Sequence, residues 1–129
     1  PGDLRSFDHR EVPAAVFTHP QIASVGATQQ ELEAAGRAFV SKTQRYGDTA
    51  YGWALEDEVG ICKVLADPAS GRLLGMHIMG EQAPTLIQTG IQALRFGPDV
   101  RDLARGQYWI HPALTEVVEN ALLGLDLPV

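Results

Sequence analysis

Cys62 is the single cysteine among 129 residues. No internal disulfide can form, and neither a Cys-x-x-Cys redox pair nor a thiolate zinc set is available. Cys62 stands in the apolar run VGICKVLA, where a thiol packs as a small, inert hydrophobe, as expected of a reduced cytoplasmic protein. Positive charge is scarce as well. Ten Lys and Arg face sixteen Asp and Glu, for a formal charge of −6. Without a basic surplus to displace counterions, nucleic acid is not an expected partner. No run reaches the roughly 20 apolar residues that a membrane-spanning helix needs, so membrane insertion is not expected either. The four histidines, His9, His19, His77 and His111, have no ligand spacing, and no metal site is expected.

Several motifs are also missing. There is no G-x-G-x-x-G dinucleotide fingerprint, no phosphate-binding P-loop and no G-x-S-x-G nucleophile elbow. What is present is a chain of one-domain length, 45% apolar and 20% charged, enough to bury a core. Residues 1–11 are polar and punctuated by proline, and read as a linker or cut end. Residues 12–129 read as a single domain.

Along that domain, Ala14 to Thr18 is β-prone and stops at His19-Pro20. Ala27 to Gly36 reads as a helix, with Thr28 and Glu31 spaced as a capping box and Gly36 as its end. Ala38 to Tyr46 alternates like a strand with one wet face. YGDTAYGW reads as loop or distorted strand. Gly60 to Ala66 and Arg72 to Gly80 flank the turn residues DPASG, the pattern of a hairpin. Ala83 to Phe96 places Ala83, Leu86, Ile87, Gly90, Ile91 and Leu94 on one helical stripe, a short helical turn starts at Asp99, and a last helix carries Leu114, Val117, Val118, Ala121 and Leu122. Strands and helices are segregated and the hairpin is antiparallel. The fold class is therefore α+β, a small antiparallel sheet with helices on one face.

The last helix opens oddly, at YWIHPALTEVVENAL. Proline suits a first helical position and pushes the preceding residue out of the helix. His111 then sits at the helix mouth and Glu116 about a turn inside, close enough for the carboxylate to accept a hydrogen bond from one imidazole nitrogen. The other nitrogen would face outward, oriented to move protons near neutral pH. A His-x4-Glu spacing is a weak signal by itself, and a capping histidine with a solvated glutamate fits it too. His77, mid-strand in GMHIMG, reads as a satisfied structural residue. A base with an orienting acid is legible, but no nucleophile, electrophile or cofactor for it to serve.

VPAAVFTHPQIASVG near the start, with HPALTEVVENAL near the end, resembles the C-terminal dimerisation domain of the pyridine nucleotide-disulfide oxidoreductases, from about Val12 to Leu125. The resemblance implies a homodimer and a place behind FAD and NAD(P)H domains of the same polypeptide, which hold the dinucleotide fingerprints and the redox cysteine pair. No cofactor is then expected on this chain alone. It implies that His111 is the general acid/base of thiol–disulfide exchange and that Glu116 orients it, both acting across the dimer, where His111 and Pro112 approach the partner's flavin. The implied substrate is a low-molecular-weight disulfide such as mycothione, with Tyr108 and Trp109 lining its pocket, and the helix stripes would divide between domain core and subunit contact. Both His-Pro bonds are expected to be cis. Many relatives follow His-Pro with threonine where Ala113 stands here, so contacts of that hydroxyl do not carry over. Isolated from its other domains, the chain is expected to be inactive. A stand-alone homodimerisation module without catalysis remains the alternative; a His/Glu hydrolase lacks a nucleophile.

Overall fold

The computed structural model describes residues 9–127. Most of the expected linker, residues 1–8, lies outside the described residues, and its last part, His9–Glu11, is a 3-10 turn. The elements that follow are β1 (Ala14–Val16), β2 (Ile22–Gly26), α1 (Gln29–Ala34), β3 (Val40–Arg45), α2 (Ala50–Ala54), β4 (Ile61–Ala66), β5 (Leu73–Met79), α3 (Ala83–Phe96), α4 (Val100–Arg105) and α5 (Thr115–Leu123). The strands form one five-stranded sheet in the order β1-β2-β5-β4-β3, every neighbouring pair antiparallel.

The expected hairpin is β4–β5, with a register irregularity at Leu65/Ala66. β3 alternates between half-buried Val40, Lys42 and Gln44 and exposed Ser41, Thr43 and Arg45. The class is α+β, as expected. One strand was not legible: β2 is built from IASVG, and its alanine, serine and glycine dilute the β-branched signal. It is specified instead by its pairing with β5, Ile22 opposite Met79 through Gly26 opposite Gly75.

The stretch expected as loop or distorted strand is helical. Tyr46–Asp48 forms a 3-10 turn, and Thr49 caps α2, its hydroxyl accepting from the Gly52 N–H at 3.3 Å. Tyr46 is fully buried there and donates its phenol to the Glu81 carbonyl at 3.0 Å. Burial raises the phenol pKa, chiefly by penalising the charged form. The capping box of α1 is present in full: Thr28 accepts from the Glu31 N–H at 3.2 Å, and Glu31 accepts from the Thr28 N–H at 2.8 Å. Gly36, at φ +60°, takes up the left-handed position just beyond that helix.

The main core lies between the sheet and α3, α4 and α5. It takes Val25, Cys62, Val64, Met76 and Ile78 from the strands, with Leu86, Ile87, Val100, Val117, Val118 and Leu122 from the helices. Cys62 is completely buried and its thiol pKa is pushed up to about 12 by burial, so it stays protonated and inert. The opposite sheet face carries a smaller cluster of Leu32, Leu65 and Leu74, with Phe39 against it. Three helices thus cover one face, as expected, and short α1 adds cover on the other. His77 reaches the Ala27 carbonyl through Nε2 at 3.0 Å, a satisfied structural role.

The stripes of α3 and α5 were expected to be shared between core and subunit contact. Their core share is Ala83, Leu86, Ile87 and Gly90 of α3 and Val117, Val118, Ala121 and Leu122 of α5, all buried, with half-buried Ile91 and Leu94 packed against them. Exposed apolar side chains occur elsewhere, at Phe17, Trp53, Tyr108 and Ile110.

The close approach of the α1 entry to β5 allows a sharp test. A Cβ on Gly75 would collide with the Ala27 carbonyl oxygen, in a place where Ala27 N–H also bonds the Leu74 carbonyl at 2.8 Å. Gly75→Ala is expected to destabilise the chain by about 1–3 kcal/mol, read as a lower urea midpoint with an unchanged slope; an unaltered midpoint would show that β5 and the α1 entry are free to separate.

Candidate functional site

α4 ends at Arg105 and α5 begins at Thr115, so His111 is carried on an irregular segment between two helices. Pro112 was expected at the first helical position. It lies instead three residues before α5, and Glu116 is the second residue of that helix rather than about a turn inside. The start is delayed because Leu114, the residue before the helix, has no side-chain acceptor to offer. Glu116 reaches back in its place, its Oε2 accepting the Ala113 N–H at 3.2 Å. This satisfies one of the donors a helix start leaves open. The His19-Pro20 and His111-Pro112 peptide bonds are both cis.

The same carboxylate holds the imidazole. His111 Nδ1 lies 2.7 Å from Glu116 Oε1. Burial works to raise the Glu116 pKa, but the hydrogen bond to His111, the Ala113 N–H and the His111 charge together outweigh it and keep the group below its ordinary carboxyl range. An ionised carboxylate can only accept, so Nδ1 carries a proton in either state of the ring, and in the neutral ring Nε2 presents its lone pair. Glu116 is largely covered and His111 largely open, at 16% and 68% side-chain exposure. Among the described residues nothing hydrogen-bonds Nε2. The arrangement is an oriented base, Nε2 outward, able to take a proton from a group brought to it and to return one.

One turn further along α5, Glu119 is perturbed the other way. Burial and the charge of Glu116 raise its pKa.

Tyr108 and Trp109, expected as a pair, separate. The Tyr108 side chain is fully exposed. Trp109 turns inward against the core and donates its indole N–H to the Ala104 carbonyl at 2.9 Å. The residue that sequence reasoning passed over is Ile110, exposed beside His111; an isoleucine next to a tryptophan carries no sequence signal that tells outward from inward. His19 is exposed and stands outside this cluster.

One open concavity, about 830 Å³, is lined by Val12, Leu32, Leu74, Leu94, Arg37 and Arg72 among others, with none from α5 or the segment before it. Among the described residues no three His, Cys, Asp or Glu side chains converge on a metal-sized site, and no helix is long and apolar enough to cross a membrane.

Comparison with known proteins gives concordant matches. The family described as pyridine nucleotide-disulphide oxidoreductase, dimerisation domain, matches residues 12–122. Mycothione reductase of Mycobacterium tuberculosis is 64% identical over 118 residues, 92% of this chain and 26% of that protein. Dihydrolipoamide dehydrogenase of Chaetomium thermophilum is 36% identical over 112 residues, 87% of this chain and 22% of the relative. Among solved structures, LpdA of M. tuberculosis superposes with a TM-score of 0.86 at 25% identity, over 92% of this chain and 26% of that one. The chain therefore spans about a quarter of the length of its relatives.

The Glu116 environment has a pH signature. A carboxyl whose pKa is lowered by folding adds stability above its unfolded pKa, and that stability is lost as pH falls through the folded value. Glu116→Gln is expected to cost about 1 kcal/mol at neutral pH. The gap between the two proteins should narrow as the buffer is taken below about pH 4, followed by urea melts at stepped pH; a gap that is flat with pH would mean that Glu116 is not held ionised by these contacts.

Proposed function

Because the chain belongs to the dimerisation-domain family of the pyridine nucleotide-disulphide oxidoreductases, we propose that it is the subunit-contact domain of a homodimeric flavin-dependent disulfide reductase and lends its His111–Glu116 pair to the active site of the partner subunit. The observation that carries this reading is the pair itself. His111 is oriented through Nδ1 by a carboxylate that a backbone N–H also holds, and its Nε2 is left open to a group from outside the chain. The exposed apolar side chains Tyr108 and Ile110, adjoining His111, suit a surface covered on assembly.

In this reading FAD and NAD(P)H, held by the rest of the polypeptide, supply the electrons. The present residues handle protons. Thiol–disulfide exchange needs a thiolate to attack one sulfur of a disulfide and the displaced sulfur to be protonated as it leaves. Nε2 takes the proton from the attacking thiol and returns it to the leaving thiolate. Glu116 keeps the ring in the one tautomer able to do so and stabilises the imidazolium between the two steps. The 64% identity to mycothione reductase supports mycothione, a low-molecular-weight disulfide, as the substrate, with the exposed Tyr108 against it. Trp109, half-buried against the main core, is proposed beside it as a lining residue. A cytoplasmic setting accords with the buried, protonated Cys62.

The test separates the two half-reactions in the full-length reductase. His111→Ala is expected to slow reduction of the disulfide substrate about 10²–10⁴-fold, the usual reach of a positioned acid/base, while flavin reduction by NAD(P)H, followed by its absorbance in a stopped flow, keeps its rate. Disulfide turnover unaffected by the substitution would defeat the role given to His111.

A further inference from the structure

Seven consecutive residues, Gly106 to Pro112, separate α4 from the turn into α5, and six of them are exposed. Trp109 is the exception, packed against the main core. The C-terminal carbonyls of α4 receive this segment one after another. The Asp102 carbonyl accepts the Gly106 N–H at 2.7 Å, the Leu103 carbonyl accepts the Gln107 side-chain amide at 2.8 Å, and the Ala104 carbonyl accepts the Trp109 indole N–H at 2.9 Å. A helix end leaves its last carbonyls without partners. Here three in succession are satisfied by the strand of chain that leads to His111, two of them through side chains.

We infer that Trp109, assisted by Gln107, is a positioning residue for His111: the end of α4 serves as a dock that fixes the segment from which the imidazole meets Glu116. The two members of the acid/base pair are held from different sides. Glu116 is fixed from α5, by the packing of that helix and by the Ala113 N–H. His111 is fixed from α4, two residues beyond the only side chain of its segment that reaches the core. Without the dock, the 2.7 Å bond at Nδ1 would have to order a solvated loop alone, and an exposed charge-assisted hydrogen bond is worth little against that loss of freedom. The inference rests on the proposed acid/base role of His111, but its direct consequence, the tautomer of the His111 ring, exists in the chain whatever that role.

The ring tautomer is therefore the readout, taken from long-range ¹⁵N–¹H spectra of the 129-residue chain at about pH 9, above the ordinary imidazole range. The wild type is expected to show the Nδ1–H tautomer throughout. Trp109→Phe keeps an aromatic ring in the core and removes only the N–H; it is expected to lower the Nδ1–H population about twofold, toward the mixture of a free imidazole. If the Trp109→Phe spectrum is dispersed and native-like but the tautomer is unchanged, the inference is overturned. If that variant does not fold, Gln107→Ala decides in its place, since Gln107 is exposed and outside the core: a fall in the Nδ1–H population supports the dock, and wild-type values overturn it. A loosened core without a link to the ring would lower the urea midpoint and leave the tautomer alone. Failure of the catalytic reading would appear separately, as turnover that survives His111→Ala.

Discussion

Val117, Val118, Ala121 and Leu122 bury one side of α5 against β3, β4 and α4, and that burial sets the direction in which Glu116 leaves the helix. The magnitudes rank the forces. Each Val or Leu fully withdrawn from water contributes about 1.5–3 kcal/mol, whereas the single bond between Glu116 and an exposed imidazole contributes about 1 kcal/mol. The stripe is therefore what places the carboxylate, and the hydrogen bond follows from the placement. The same stripe leaves the helix start uncapped by its own residues. The Glu116 side chain consequently turns back to Ala113 and holds His111 with its other oxygen. One helix start thus serves two purposes with one carboxylate.

A base so arranged is half of a site. Its acceptor nitrogen faces out from a surface that also presents Tyr108 and Ile110, and in water a lone imidazole gains little over bulk buffer. In the proposed function its value comes when a second surface excludes solvent and sets a reacting sulfur within hydrogen-bond reach. That dependence on another surface fits a domain whose relatives are about four times its length and whose family is named for dimerisation. Most of the apolar stripes of α3 and α5 lies buried inside the domain. Had they been shared with a partner, the position of Glu116 would depend on assembly. As it is, the pair is formed by the chain alone, and in the proposed function only its use awaits the partner.

Much of this was legible in the residues, and what escaped has physical causes. Strongly periodic stretches read well: the α3 stripe from Ala83, the capping box of Thr28 and Glu31, and the β4–β5 hairpin around DPASG all correspond to elements. β2 escaped because IASVG carries little intrinsic β preference and owes its state to β5 beside it. α2 escaped because a five-residue helix has too few turns for periodicity to register, and its local signal was a lone threonine, Thr49, able to cap. In the site, the contact between His111 and Glu116 followed from spacing, since both lie at one helix start. The inward turn of Trp109 did not, because its partner is the carbonyl of Ala104 on a different helix. Tyr108 and Trp109 are adjacent in sequence and face opposite ways, which no count of aromatic residues distinguishes.

The most direct test of action across the subunit boundary is the activity of mixed dimers of the full-length reductase. One subunit would carry His111→Ala with its redox dithiol intact, and the other an intact His111 with its dithiol replaced by serines. Each parental homodimer is dead. If the pair serves the partner's site, the mixed dimer contains one complete site, and each mixed dimer should show disulfide turnover about half that of the wild-type dimer. If His111 serves its own subunit, every site in the mixed dimer lacks one component, and activity that stays at the level of the dead parents would contradict the transfer of this pair between subunits.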